Sequence, residues 1–286
     1  MAETIDFRGV PAIALKTKVG SSAVITLHGA QLVSWIPAMG GERLYLSEKA
    51  EFAPGKAIRG GVPVLFPQFG LRGPGPKHGF VRQRAWAVVN VREEADYACA
   101  TLRCESDAET RALWPHDFVA ELTVMIERNR IDLELEITNI NDHPIEFTAG
   151  LHTYLSTGNV EMARLVGLEG SSYLDALKNL NRVTDAPEVL FIDDAIDRVY
   201  LNISKPLLLS EPARHMAIEQ EGFRDVVVWN PWESGIGNFV DMEPKDFKRM
   251  LCVEAAAFEH PVIVAPGADW VGRQTMVALP PGGFAV

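Results

Sequence analysis

Residues 131–138 read Ile-Asp-Leu-Glu-Leu-Glu-Ile-Thr, an unbroken alternation of apolar and polar side chains. A helix with 3.6 residues per turn scatters such a pattern around its axis, whereas a strand puts Ile131, Leu133, Leu135 and Ile137 on one side and the polar residues on the other. The run 118–127 precedes it, and Arg128, Asn129 and Arg130 make a short connection, so a β-hairpin with one wet face is expected at the centre of the chain. Similar short runs recur at 22–27, 85–92, 98–104, 145–151, 199–203, 206–209, 215–219, 226–229 and 261–264, with turn residues between nearly all of them. The best helical candidate is 244–250, with a proline near its first turn. Many short strands in 286 residues, without βαβ alternation, predict an all-β fold, a large antiparallel sandwich of two sheets. No linker, fixed-period repeat or sharp shift in composition marks a boundary, so residues 1–286 are expected to form a single domain. A sandwich of this size leaves a concave face on which polar side chains from several strands can meet a ligand.

The charge pattern narrows the function. Net charge is −11, which repels nucleic acid and anionic lipid at long range, so neither nucleic acid nor a membrane is an expected partner. No apolar run is long enough to cross a bilayer, and residues 1–10 lack the pattern of a secretion signal. Cys99, Cys104 and Cys252 form no C-x-x-C pair, an odd count that reads as reduced thiols in the core. A cytoplasmic protein is the default expectation; oligomeric state is open, with a monomer the simplest case.

Within this acidic chain, residues 52–91 contain no Asp or Glu, although 38 acids in 286 residues would place about five there. The same window holds Lys56, Arg59, Arg72, Lys77, Arg82 and Arg84, together with His78. The ordinary alternative is a set of loop cations paired with acids elsewhere. Because the segment is rich in Gly and Pro, a site for a small anion is the sharper reading.

Among seven histidines, His78 lies in Gly75-Pro76-Lys77-His78-Gly79-Phe80 and His152 follows a strand in Gly150-Leu151-His152-Thr153-Tyr154. Taken singly, either is as readily a satisfied core histidine as a catalyst. His28 reads as structural, and His116, His143, His215 and His260 receive no role. Glu254 interrupts the apolar run Leu251-Cys252-Val253-Glu254-Ala255-Ala256-Ala257. It is either on the wet face of a strand or a desolvated carboxylate; the latter has a raised pKa, which suits a general base. Since no other position from Met250 to Phe258 is polar, the second reading carries more weight. Asp193, Asp194 and Asp197 form a cluster that is ambiguous alone. Metal-ligand spacings, a phosphate-binding P-loop, a G-x-S-x-G elbow and a G-x-G-x-x-G turn are all missing.

Taken in order, Ile58-Arg59-Gly60-Gly61-Val62-Pro63-Val64-Leu65-Phe66-Pro67-Gln68-Phe69-Gly70, His78-Gly79-Phe80-Val81-Arg82, Leu151-His152-Thr153-Tyr154, Val227-Val228-Trp229-Asn230-Pro231-Trp232 and Cys252-Val253-Glu254 resemble the hexose-6-phosphate mutarotases, or glucose-6-phosphate 1-epimerases, of the aldose 1-epimerase superfamily. The resemblance runs from about Arg59 to Trp270 and implies a large antiparallel β-sandwich of the galactose mutarotase type, acting on a hexose 6-phosphate. It implies His152 as general acid toward the ring oxygen and Glu254 as general base toward the C1 hydroxyl. It further implies Arg59 and Arg82 as phosphate ligands, His78 as a hydrogen-bond partner near the ring oxygen, and Asp197 as a holder of sugar hydroxyls, with Asp193 and Asp194 close enough to compete for that role. Lys77 is an added phosphate contact or a bystander. No metal or organic cofactor is implied. Trp229 and Trp232 are either sugar-stacking or core residues. An aldose 1-epimerase for free sugars, a noncatalytic sugar-phosphate module and a glycosidase using Glu254 with Asp197 are the rival readings.

Overall fold

The computed structural model describes residues 3–280. Among these residues the strands form three antiparallel sheets. The small sheet comprises Glu3–Phe7, Val10–Lys16, Ser22–Thr26 and Leu32–Ile36. The nine-stranded sheet contains the central hairpin, Phe118–Ile126 paired with Arg130–Asn139, in the register that puts Leu122 opposite Leu135. Its apolar positions, Leu133, Leu135 and Ile137 among them, are fully buried, as the alternation requires. The eight-stranded sheet runs in the order Asn181–Val183, Tyr173–Asp175, Ile196–Tyr200, Asp225–Asn230, Met250–Val264, Ile145–Leu151 and Val64–Leu65, with Tyr154–Ser156 also pairing to Met250–Val264. The antiparallel all-β fold expected from the alternation is thus present, with a small four-stranded sheet in addition to the two large ones. No helix among the described residues is long and apolar enough to cross a membrane.

Two local expectations need correction. The stretch 244–250 contains only the 3-10 turn Asp246–Lys248. The Asp246 side chain accepts from Glu243 N at 2.7 Å and from Tyr45 Oη at 2.6 Å, which ties the segment into a tight turn. A six-residue helix forms instead at Ala108–Leu113, where the Asp107 carboxylate accepts from Thr110 N and the Thr110 hydroxyl from Asp107 N, a capping box in which Thr110 takes the usual Glu or Gln place. The strand expected at 199–203 lies at Ile196–Tyr200, and so includes Asp197.

The longest strand, Met250–Val264, organises the molecule by its period of two. Leu251, Val253, Ala255 and Ala257 point into the main core between the sheets, while Met250, Cys252, Ala256 and Phe258 belong to smaller clusters on the opposite face. Glu254 lies on that second face, yet is only 2% exposed, because Tyr154, Trp229, Val227 and Phe69 belong to the same covering layer. Burying this outer face makes it a site wall. A buried link holds the wall to the second sheet: the Thr153 hydroxyl donates to Gln274 Oε1, and Gln274 Nε2 donates to Val253 O at 3.1 Å.

The loop bearing His78 is fixed by close backbone approach. Both His78 and Gly79 have left-handed backbones, with φ of 67° and 69°. A Cβ built on Gly79 would lie 2.0 Å from Phe66 O. We expect Gly79→Ala to lower the unfolding free energy by about 2–4 kcal/mol, measured as a drop in denaturant midpoint; an unchanged midpoint would show that the loop relaxes freely.

Candidate active site

Register explains how two residues a hundred positions apart come together. Leu151 pairs with Ala255 and Tyr154 with Cys252, so the intervening His152 stands opposite Glu254 on the same face. The His152 backbone N–H donates to Pro63 O at 3.0 Å, anchoring the step between the two short strands. The result is a distance of 3.3 Å between His152 Nδ1 and Glu254 Oε1. This approach is not aligned as a hydrogen bond, and Nδ1 and Glu254 Oε2 are both buried without a hydrogen-bond partner. Burial disfavours charge on both groups: it lowers His152 well below the ordinary histidine value, with His78, Arg59 and Arg82 adding to the effect. It raises Glu254 well above the ordinary carboxylate value, reinforced by Asp197 and opposed by Lys77.

Both side chains line a cavity of ≈ 210 Å³. Its floor continues the same strand faces, since Asp197 pairs with Trp229, and Trp229 with Cys252, in neighbouring ladders. Burial pushes the Asp197 carboxyl up to about 6, with Lys77 opposing the rise and Asp175 adding to it. Asp193 and Asp194 are exposed, and Asp194 spends an oxygen on the backbone N–H of Ala195 at 2.7 Å. Of the three acids, Asp197 is the one at the cavity.

His78 completes this wall, its ring 5.5 Å from that of His152. Gly70 N donates to His78 Nδ1 at 3.2 Å, so the ring hydrogen of the neutral imidazole resides on Nε2. The imidazole stays neutral, because burial first, then Arg82, Lys77 and Arg59, pull its pKa down to about 3. A neutral His78 is therefore a hydrogen-bond donor through Nε2.

The cationic window divides into two groups. Arg84 pairs with Asp107 and with Glu109 at 3.1 Å, Lys56 pairs with Glu51 at 3.7 Å, and Arg72 donates to Glu259 O at 3.1 Å while covering the Phe258 ring at 4.7 Å. For these the ordinary alternative holds in whole or part. Arg59 and Lys77 line the cavity. Arg82 donates to Lys77 O at 3.0 Å, and its Nε is buried with no partner. Burial lowers the Arg82 pKa, Tyr154 opposes that, and Arg59 adds to it, so the two guanidiniums repel each other. Such a pair is stabilised by an anion.

Three contributors were not singled out for a role by sequence reasoning. Tyr154 stacks on His152, with ring centroids 4.6 Å apart and planes 9° from parallel, and its hydroxyl accepts from Arg59 Nη1 at 2.9 Å. Asp241 accepts from Arg59 Nε at 3.0 Å, and the Phe239 ring lies 5.0 Å from the same guanidinium. Burial alone would lower the Arg59 pKa, but Tyr154 and Asp241 outweigh it and hold it above the ordinary value. The Leu-His-Thr-Tyr motif was a signal for Tyr154; nothing local marked the 239–241 segment. Trp229 lines the cavity edge-on to His152 at 6.0 Å, whereas Trp232 packs on Phe247 at 5.3 Å and is not part of the cavity lining. His28 is structural, its Nε2 donating to Lys56 O at 2.6 Å, and His116 pairs with His143 at 3.1 Å away from the cavity lining.

Residues 11–276 of this sandwich match the aldose 1-epimerase family. The chain belongs to that family. It is 34% identical over 282 residues to a protein of Cenchrus ciliaris named "Putative glucose-6-phosphate 1-epimerase", covering 95% of this chain and 86% of that one. A protein of the same name from Escherichia coli K12 is 34% identical over 244 residues, covering 82% and 79% of the two chains. Among solved structures, a protein from Salmonella typhimurium described as a "putative mutarotase" superposes with a TM-score of 0.89 at 26% identity, covering 98% of this chain and 97% of that one. A galactose mutarotase related enzyme from Lactobacillus acidophilus, at 17% identity and a TM-score of 0.75 over 96% and 99% of the chains, shares the fold.

Proposed function

We propose that the protein is a glucose-6-phosphate 1-epimerase, a hexose-6-phosphate mutarotase that interconverts the α and β anomers. The observation that carries this reading is the placing of the His152–Glu254 pair, 3.3 Å apart, in one cavity with Arg59 and Lys77, and with Arg82 beside it. In the proposed mechanism, Glu254 takes the proton from the C1 hydroxyl while His152 gives one to the ring oxygen. The C1–O5 bond breaks and a C1=O1 double bond forms. Rotation about C1–C2 presents the other aldehyde face, and the two transfers reverse as the ring recloses. His152 Nδ1 is the atom turned to Glu254, which leaves Nε2 for the sugar ring oxygen.

The proton count makes the pair effective. Burial favours the neutral pair, which becomes reactive when the Glu254 proton passes to the facing His152 Nδ1. The resulting imidazolium and carboxylate then give a proton to the ring oxygen and take one from the C1 hydroxyl, becoming imidazole and carboxylic acid again, so the net charge of a dry pocket never changes. No covalent intermediate is required, and each positioned group contributes roughly 10²–10⁴ in rate. His78, held as an Nε2–H donor, steadies the developing charge near the ring oxygen, and Asp197 accepts from sugar hydroxyls. Arg59, Arg82 and Lys77 take the phosphate end, where charge-assisted hydrogen bonds are about twice as strong as neutral ones. Because a phosphorylated sugar does not cross a bilayer unaided, this reading places the protein in the cytoplasm.

Polarimetry or NMR exchange on freshly dissolved α-glucose 6-phosphate, run beside α-glucose in the same buffer, tests it. Acceleration confined to the phosphate ester is expected. Equal acceleration of both sugars would make the protein an aldose 1-epimerase for free sugars, and binding without acceleration would make it a noncatalytic sugar-phosphate module.

A further inference from the structure

Cys252 has no part in the mechanism above, yet it lies two residues from Glu254 on the same strand face and opposite Tyr154. One ligand atom each from His152, Cys252 and Glu254 lie within 4.8 Å of one another, and all three residues are buried. We propose that these three side chains form a binding site for one divalent transition-metal ion of the zinc class, and that its occupancy shuts the enzyme off.

Imidazole nitrogen, thiolate sulfur and carboxylate oxygen are the donors zinc prefers, and three protein ligands leave a fourth position open. Tetrahedral bonds of zinc to nitrogen and oxygen put those two atoms about 3.4 Å apart; the distance between His152 Nδ1 and Glu254 Oε1 is 3.3 Å. The two ligands are therefore already spaced for the ion, and only the Cys252 side chain needs to close in. Both carry unspent capacity as well, since His152 Nδ1 and Glu254 Oε2 are buried without hydrogen-bond partners. Charge is also matched. Binding expels the thiol proton of Cys252 and any proton on Glu254, so thiolate and carboxylate neutralise the dication and leave an uncharged centre next to Arg59 and Arg82. Once the ion holds the Nδ1 and carboxylate lone pairs, the pair can no longer hand a proton to the sugar and take one back.

The inhibitory half of this proposal rests on the mutarotase reading, whereas metal binding itself does not. Titration of the purified protein with Co²⁺ is expected to give one equivalent of a tetrahedral centre with a thiolate-to-cobalt charge-transfer band, displaced by Zn²⁺. In a non-chelating buffer, Zn²⁺ should abolish the acceleration of α-glucose 6-phosphate mutarotation, and EDTA should restore it. Cys252→Ala should lose the charge-transfer band and raise the Zn²⁺ concentration for half inhibition roughly tenfold or more, with its metal-free rate near wild type. Cys252→Ser provides a second variant should the first fail to fold, and Cys99→Ser, at a half-buried cysteine, should behave as wild type. Absence of the band in the wild type, or its survival in both Cys252 variants, would overturn the site. A band without inhibition would overturn the regulatory claim. Absence of mutarotase activity in the wild type with and without metal would instead remove the functional reading and leave the cobalt result standing.

Discussion

Glu254→Gln is expected to slow the mutarotation of glucose 6-phosphate by at least about a hundredfold, or roughly 3 kcal/mol of barrier, with the fold intact. The substitution preserves size and shape, and Glu254 is 2% exposed with Oε2 lacking any hydrogen bond, so no structural ion pair network collapses. What disappears is the basic oxygen that receives the C1 hydroxyl proton. The carboxamide also turns a donor toward His152 Nδ1, which removes the relation between the two groups. His152→Asn should cost a comparable factor. The double variant should be little worse than either single one, because each proton transfer is useful only when the other occurs. Single-turnover NMR exchange on the three proteins, alongside circular dichroism, measures this. Wild-type-like turnover in either single variant would dismiss the acid–base assignment.

Arg82→Ala should reduce kcat/KM for glucose 6-phosphate about tenfold to a hundredfold while scarcely affecting any residual action on glucose. Arg82 is the cleaner of the two guanidinium tests. Its Nε has no partner and its recorded hydrogen bond goes to the backbone of Lys77, so its removal strands no carboxylate. Arg59→Ala, in contrast, leaves Asp241 and the Tyr154 hydroxyl without their guanidinium, and Tyr154 is the ring stacked on His152. It should therefore lower kcat as well as raise KM. An unchanged preference for the phosphate ester in Arg82→Ala would move the phosphate site toward Lys77 and Arg72.

Much of this was readable in one dimension. Alternation in residues 131–138 dictated a strand with one wet face, because side-chain direction in an extended backbone reverses at every residue. Glu254 stood out because a carboxylate in an unbroken apolar run has no neighbouring polar side chain to bring it water. The Asp107 cap is equally local, but a six-residue helix has too short an apolar period to stand out in the sequence. In 244–250 a helical composition was overridden by the Asp246 contacts to Tyr45 and Glu243, one of them 201 residues away in sequence.

The sequence by itself determined which residues could do chemistry: an isolated glutamate, two histidines in unusual settings, a forty-residue stretch of cations without acids, and alternation that demanded sheets. Only the tertiary structure decided which of them meet. Pairing register put His152 opposite Glu254, and strand parity put Asp197, Trp229 and Cys252 on that same face. Folding also matched Arg84 and Lys56 with acids while bringing Arg59 and Lys77 to the cavity. The reason is physical: side-chain type and period are local properties of the chain, whereas a pairing register and an ion pair depend on segments that become neighbours only when the sheets close around a shared core.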